Sequence, residues 1–125
     1  MLAAAVFSIA ARASGPVAAD LVLRGGTVID GSGKAGRKAD VAIRGDRVVA
    51  VGTFEIDDKA KVIDVSSLVV APGFIDLHTH SDPAIIEPSK RLNRNYLTQG
   101  VTTIVTGNCG LGVVETAKYF AAIDS

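Results

Sequence analysis

Short apolar, β-branched runs alternate with turn formers from Asp20 to Pro72, and the spacing then lengthens. Leu21 to Ile29 reads as a strand closed by the loop Asp30-Gly-Ser-Gly33. Asp40–Arg44 and Arg47–Val51 flank Gly45-Asp46, a two-residue link with glycine first, which predicts a hairpin on a type II′ turn. Lys61–Val65 and Leu68–Ala71 give two more short strands. Residues 20–72 are therefore expected to form a small antiparallel sheet, a segment of a β-sandwich, with nothing catalytic in it.

After Pro72-Gly73 the pattern becomes strand, helix, strand, helix. Phe74–His78 is apolar enough for a strand, and a loop with Pro83 and Pro88 follows. Ser89 is placed to cap a helix through Leu92, Tyr96 and Leu97, with Gly100 as its left-handed terminator. Val101–Thr106 is a second β-branched strand, Gly107 to Gly112 is glycine-rich, and Val114 to Ile123 is helical in composition. Two strands apolar enough to be buried on both faces, joined through a helix, predict parallel β/α construction. The fold class is α/β.

Composition narrows the function classes. With 125 residues, 48% of them hydrophobic, the chain suits one domain or pieces of two. Thirteen basic residues balance thirteen acidic ones, so no net charge draws it to nucleic acid or to a membrane surface. Leu2 to Ala11 is an apolar block too short to span a bilayer, which needs about twenty residues. It has the length of a leader's apolar region but no positive residues before it. Residues 1–19 are read as a leader-like extension, with an exported or periplasmic location if they are a leader and a cytoplasmic one if not.

The candidate chemistry lies in residues 73–125. His78 and His80 are the only histidines, and on a strand they would share one face, with Asp76 a step deeper. Such a pair alone is commonly a surface feature. The lone Cys109 would by default be a small buried hydrophobe. It lies, however, in Gly107-Asn-Cys-Gly110, three residues past the predicted end of the second strand. In parallel β/α folds the chemistry gathers at the carboxyl ends of strands, which sit about 4.8 Å apart. His78, His80 and Cys109 are thus expected to converge on a divalent ion, zinc first. Asp76 is expected to support the imidazoles from behind without binding the metal. Asp82 reads as an ordinary loop aspartate.

Gly73-Phe-Ile-Asp-Leu-His-Thr-His80 resembles the first-strand signature of the amidohydrolase superfamily. Gly100-Val-Thr-Thr-Ile-Val-Thr-Gly-Asn-Cys-Gly110 resembles, more specifically, the N-acyl-D-amino-acid deacylase (D-aminoacylase) group, in which a cysteine replaces the carboxylated lysine of many relatives. Leu21 to Gly33 is similar to that group's opening β segment, so the resemblance covers roughly residues 20 to 125.

The resemblance implies the start of a (β/α)₈ TIM-type barrel from residue 73, preceded by the β-sandwich segment, both incomplete here. It implies one or two zinc ions held by His78, His80 and Cys109, and an N-acyl amino acid as small-molecule substrate. Metal-activated water would hydrolyse the amide bond. The general base and acid would be an aspartate of a late barrel strand, so no catalytic residue proper is expected in this sequence. A full barrel needs about 250 residues, so the chain is expected to be the N-terminal part of a longer enzyme, poorly folded and inactive alone. Two alternatives stand beside this: a dihydropyrimidinase-like or isoaspartyl-dipeptidase-like hydrolase, which would generally use a lysine bridge, and a truncated, catalytically inactive chain.

Overall fold

The computed structural model describes residues 15–124, which divide into two compact units between Pro72 and Gly73. Most of the leader-like stretch lies outside the described residues. Its last part does not behave as an extension: the Val17 N–H donates to the Glu55 carbonyl at 2.7 Å, and Ala19 is buried in the first unit's core.

The first unit is one sheet. β1 (Leu21–Val28), β2 (Arg37–Arg44) and β3 (Arg47–Gly52) run antiparallel as expected. At the hairpin Arg44 pairs with Arg47, and Gly45 takes a φ of +59° that favours glycine. The sheet is nonetheless mixed, which corrects the all-antiparallel expectation. β4 (Lys61–Asp64) and β5 (Val69–Val70) both pair with β1 in parallel. The reason lies in residues 53–60, where no strand period is visible. This connection returns the chain to β1, and its Phe54, Ile56 and Ala60 pack on Ala19, Val22 and Ala42. Burying those side chains favours the crossover over another hairpin.

A bulge explains how β1 serves two parallel partners. Leu23 faces Val41 while Gly26 faces Ala39, so β1 carries one extra residue there. Gly25 takes that place with φ +75°, and its N–H donates to Asp40 Oδ1 at 2.8 Å. β4 pairs with Leu21–Arg24 before the bulge, and β5 pairs with Thr27–Val28 after it. On a second cluster of the sheet, Val28, Ala39 and Val41 pack with Leu23, Ile43, Val48, Val51 and Val70.

In the second unit β6 (Phe74–Asp76) and β7 (Val101–Ile104) pair in parallel, as the strand–helix–strand pattern predicts. The helices are α1 (Asp82–Ile85), α2 (Arg94–Leu97) and α3 (Thr116–Asp124). Ser89 does not cap the middle helix. A single turn closes on the Glu87 carbonyl, and the chain then breaks at Asn93, whose φ of +43° precedes α2. Asparagine tolerates the left-handed region better than most residues, so the break falls there. Gly100, at φ +80°, ends the segment as expected. The strands are not buried on both faces: Phe74 is 61% and Ile75 62% exposed. Among the described residues no helix is long and apolar enough to cross a membrane.

Candidate metal centre

The regular part of β6 stops at Asp76, so the histidines stand beyond the strand and not on it. Their shared direction survives because the pairing continues irregularly. The Val105 N–H donates to the Asp76 carbonyl at 2.8 Å, and the Thr79 N–H donates to the Val105 carbonyl at 3.1 Å. Thr79 is 2% exposed and its hydroxyl also donates to the Val105 carbonyl at 3.1 Å. With Thr79 turned inward, His78 and His80 on either side turn outward, their ring centroids 5.4 Å apart. Asp76 lies behind them, but its carboxylate accepts from the His78 backbone N–H at 3.0 Å. It shapes the turn that presents the ring.

The third candidate ligand arrives from the far side of β7. A tight 3₁₀ turn, Asn108–Gly110, follows Gly107, and Cys109 within it has a φ of +59°. A β-carbon at Gly112 would fall 3.2 Å from the Gly107 Cα, so the loop closes on itself too tightly to take a side chain there without a shift. The Asn108 side-chain amide donates to the carbonyls of Thr79 at 3.2 Å and Val105 at 3.1 Å. Cys109 Sγ then lies 3.5 Å from His78 Nε2.

One ligand atom each from His78, His80 and Cys109 lies within 4.8 Å of the others, all on exposed side chains. In a tetrahedral zinc site, bonds of about 2.0–2.1 Å to nitrogen and about 2.3 Å to sulfur put ligand atoms roughly 3.3–3.6 Å apart. The thiol–imidazole distance already meets this, and exposed side chains have the rotamer freedom to close the widest one. Two imidazoles and a thiol are donors zinc prefers, so the residues fit that ion.

Asp82 is more than a loop aspartate. It is 6% exposed. Its pKa is held below the ordinary value, first by hydrogen bonding from the Thr106 side chain, with smaller help from the Gly107 N–H and the His80 charge, against the opposing effect of burial. Pro83, which follows it at the start of α1, was the only local signal of its place. The Tyr119 hydroxyl donates to the Asp82 carbonyl at 3.1 Å and Arg91 donates to the Ala122 carbonyl at 3.0 Å, tying α3 to this part of the unit. Burial, and then the Asp82 charge, push the Tyr119 phenol upward.

The first unit holds an apolar groove of about 270 Å³. Its charged lining residues, Asp30 and Arg37, pair with each other at 3.0 Å, so it offers no free catalytic group.

No family model matches the sequence. The D-aminoacylase of Alcaligenes xylosoxydans xylosoxydans is 50% identical over 98 residues, which are 78% of this chain and 20% of that enzyme. The chain is a homologue of the N-acyl-D-amino-acid deacylases, in the amidohydrolase superfamily. Solved deacylases agree with this. A D-aminoacylase studied for the role of its binuclear metal centre matches with a TM-score of 0.66 and 52% identity, over 73% of this chain and 19% of that one. The N-acyl-D-glutamate deacylase of Bordetella bronchiseptica, complexed with zinc and a phosphonate mimic of the tetrahedral intermediate, matches with a TM-score of 0.68 and 36% identity, over 79% of this chain and 20% of that one. This deacylase homologue thus spans about a fifth of the length of the relatives it matches.

Proposed function

We propose that this chain supplies His78, His80 and Cys109 as zinc ligands to an enzyme that hydrolyses the amide bond of N-acyl-D-amino acids. The observation that carries the proposal is the convergence of these ligand atoms within 4.8 Å from two segments about thirty residues apart. A bound zinc ion would supply Lewis acidity toward water and the amide carbonyl. The chain's own part is positional. Thr79, buried and anchored to Val105, fixes the backbone between the two imidazoles. Asp76 holds the His78 N–H. A cysteine, and not a lysine, at the end of the second strand supports the deacylase reading over the dihydropyrimidinase-like and isoaspartyl-dipeptidase-like ones. Selectivity for the acyl group and the D-side chain would come from other parts of the enzyme.

The test is enantioselective hydrolysis by the full-length protein. N-acyl-D-amino acids are expected to be cleaved and their L-enantiomers not, with activity lost to a chelator and restored by zinc. Cleavage of cyclic ureides or isoaspartyl dipeptides in place of N-acyl-D-amino acids would overturn the assignment.

A further inference from the structure

We infer that Asn108 is a positioning residue for the zinc site proposed above: its carboxamide clamps the Cys109 loop to the backbone between His78 and His80. The inference rests on that reading of the site. Cys109 stands 31 positions from His78 in sequence, in a left-handed conformation that a β-carbon disfavours, on an exposed loop between glycines. Left to itself, such a loop would sample many positions, and the thiol would meet the imidazoles only part of the time.

Asn108 removes that freedom. Its amide nitrogen donates to the Thr79 carbonyl at 3.2 Å, across 29 positions of sequence, and to the Val105 carbonyl at 3.1 Å. Both neighbours are carbonyl oxygens and accept only, so the side-chain nitrogen, not its oxygen, must face them. The Thr79 carbonyl belongs to the residue between the two histidines. The same Val105 oxygen also accepts the Thr79 N–H and hydroxyl. One carboxamide therefore joins the histidine turn, the end of β7 and the residue next to the thiol. An asparagine that merely stabilised its own turn would bond the backbone just after itself. This one reaches across to the other ligand-bearing segment.

Partners that orient metal ligands typically change metal affinity about 10–100-fold when removed. The experiment measures zinc affinity of the full-length protein by competition with a chromogenic chelator, together with the thiolate-to-cobalt charge-transfer absorption of the cobalt-substituted protein. Asn108→Asp keeps the shape and removes the donor. It is expected to weaken zinc binding about 10–100-fold and to reduce or shift the charge-transfer band. Cys109→Ala should abolish that band. Wild-type affinity and spectrum in Asn108→Asp, with the band lost in Cys109→Ala, would overturn the clamp and leave the ligand assignment standing. A band unchanged in Cys109→Ala would instead overturn the ligand assignment. If Asn108→Asp does not fold, Asn108→Ser, whose hydroxyl is too short to bridge both carbonyls, takes its place with the same two outcomes.

Discussion

Gly73, the residue before β6, lies hard against Thr102 of β7. A β-carbon there would lie 2.7 Å from the Thr102 Cβ, an atom that no rotamer change can move aside. Gly73→Ala must therefore shift backbone, and overpacking of this kind typically destabilises by about 1–3 kcal/mol. Denaturant melts of the full-length protein should show that loss, and an unchanged midpoint would mean that β6 slides freely on β7. At this scale the sequence carried the meeting of His78, His80 and Cys109 and missed what holds them in place. Their convergence was legible because His78, His80 and Cys109 each stand just past the end of one of two neighbouring parallel strands. Asn108 and Asp82 were not, because an asparagine or aspartate acquires its role from partners that only the fold brings near. The carbonyl of Thr79 and the side chain of Thr106 are such partners.

Among the elements, the link from β1 to β2 carries a pH dependence. The Asp30 carboxylate accepts from the Ser32 N–H at 3.0 Å and pairs with Arg37 at 3.0 Å. Hydrogen bonds from Ser32 first, and then from Arg37, hold its pKa well below the ordinary carboxylate range. Asp64 is lowered in the same way by Ser66, whose N–H it accepts at 2.8 Å. A carboxylate depressed in the folded state contributes stability that is fully present above its unfolded pKa of about 4 and is lost as pH falls toward its folded value. Asp30→Asn is expected to be less stable than wild type at pH 7, with the gap narrowing steadily below about pH 4. Urea melts across that range check it, and a gap that stayed constant or widened toward acid would show that Asp30 does not act through its charge.

Strand existence was legible from β-branched runs and from the glycine turn at Gly45. The mixed topology was not, since the crossover at residues 53–60 has no strand period and reveals itself only by packing Phe54 and Ile56 on Val22. The helix boundary was missed for a similar reason. Ser89 had the chemistry of a cap, but Asn93 took the left-handed turn that sets where α2 begins.

For the whole molecule, burial is unevenly shared between the two units. Val22 and Ala42 of the first are fully enclosed, whereas Phe74 and Ile75 on β6 are mostly exposed and β6–β7 is a two-stranded sheet. Two-stranded pairs are marginal by themselves in water. Expressed as these 125 residues, the chain is expected to show slow amide exchange in β1, β2 and β3 and rapid exchange in β6 and β7. Comparable protection in both would mean that the second unit stands without further cover. The parallel pairing of β6 and β7 was legible from the strand–helix–strand order, and the resemblance to deacylases was legible from the segments around His80 and Cys109.

The most direct measurement is X-ray absorption at the zinc edge on the full-length, zinc-loaded protein. The prediction is a sulfur scatterer at about 2.3 Å beside imidazole nitrogens at about 2.0–2.1 Å, with the sulfur lost in Cys109→Ala. A shell of nitrogen and oxygen alone in the wild-type protein would contradict the convergence of His78, His80 and Cys109 on one ion.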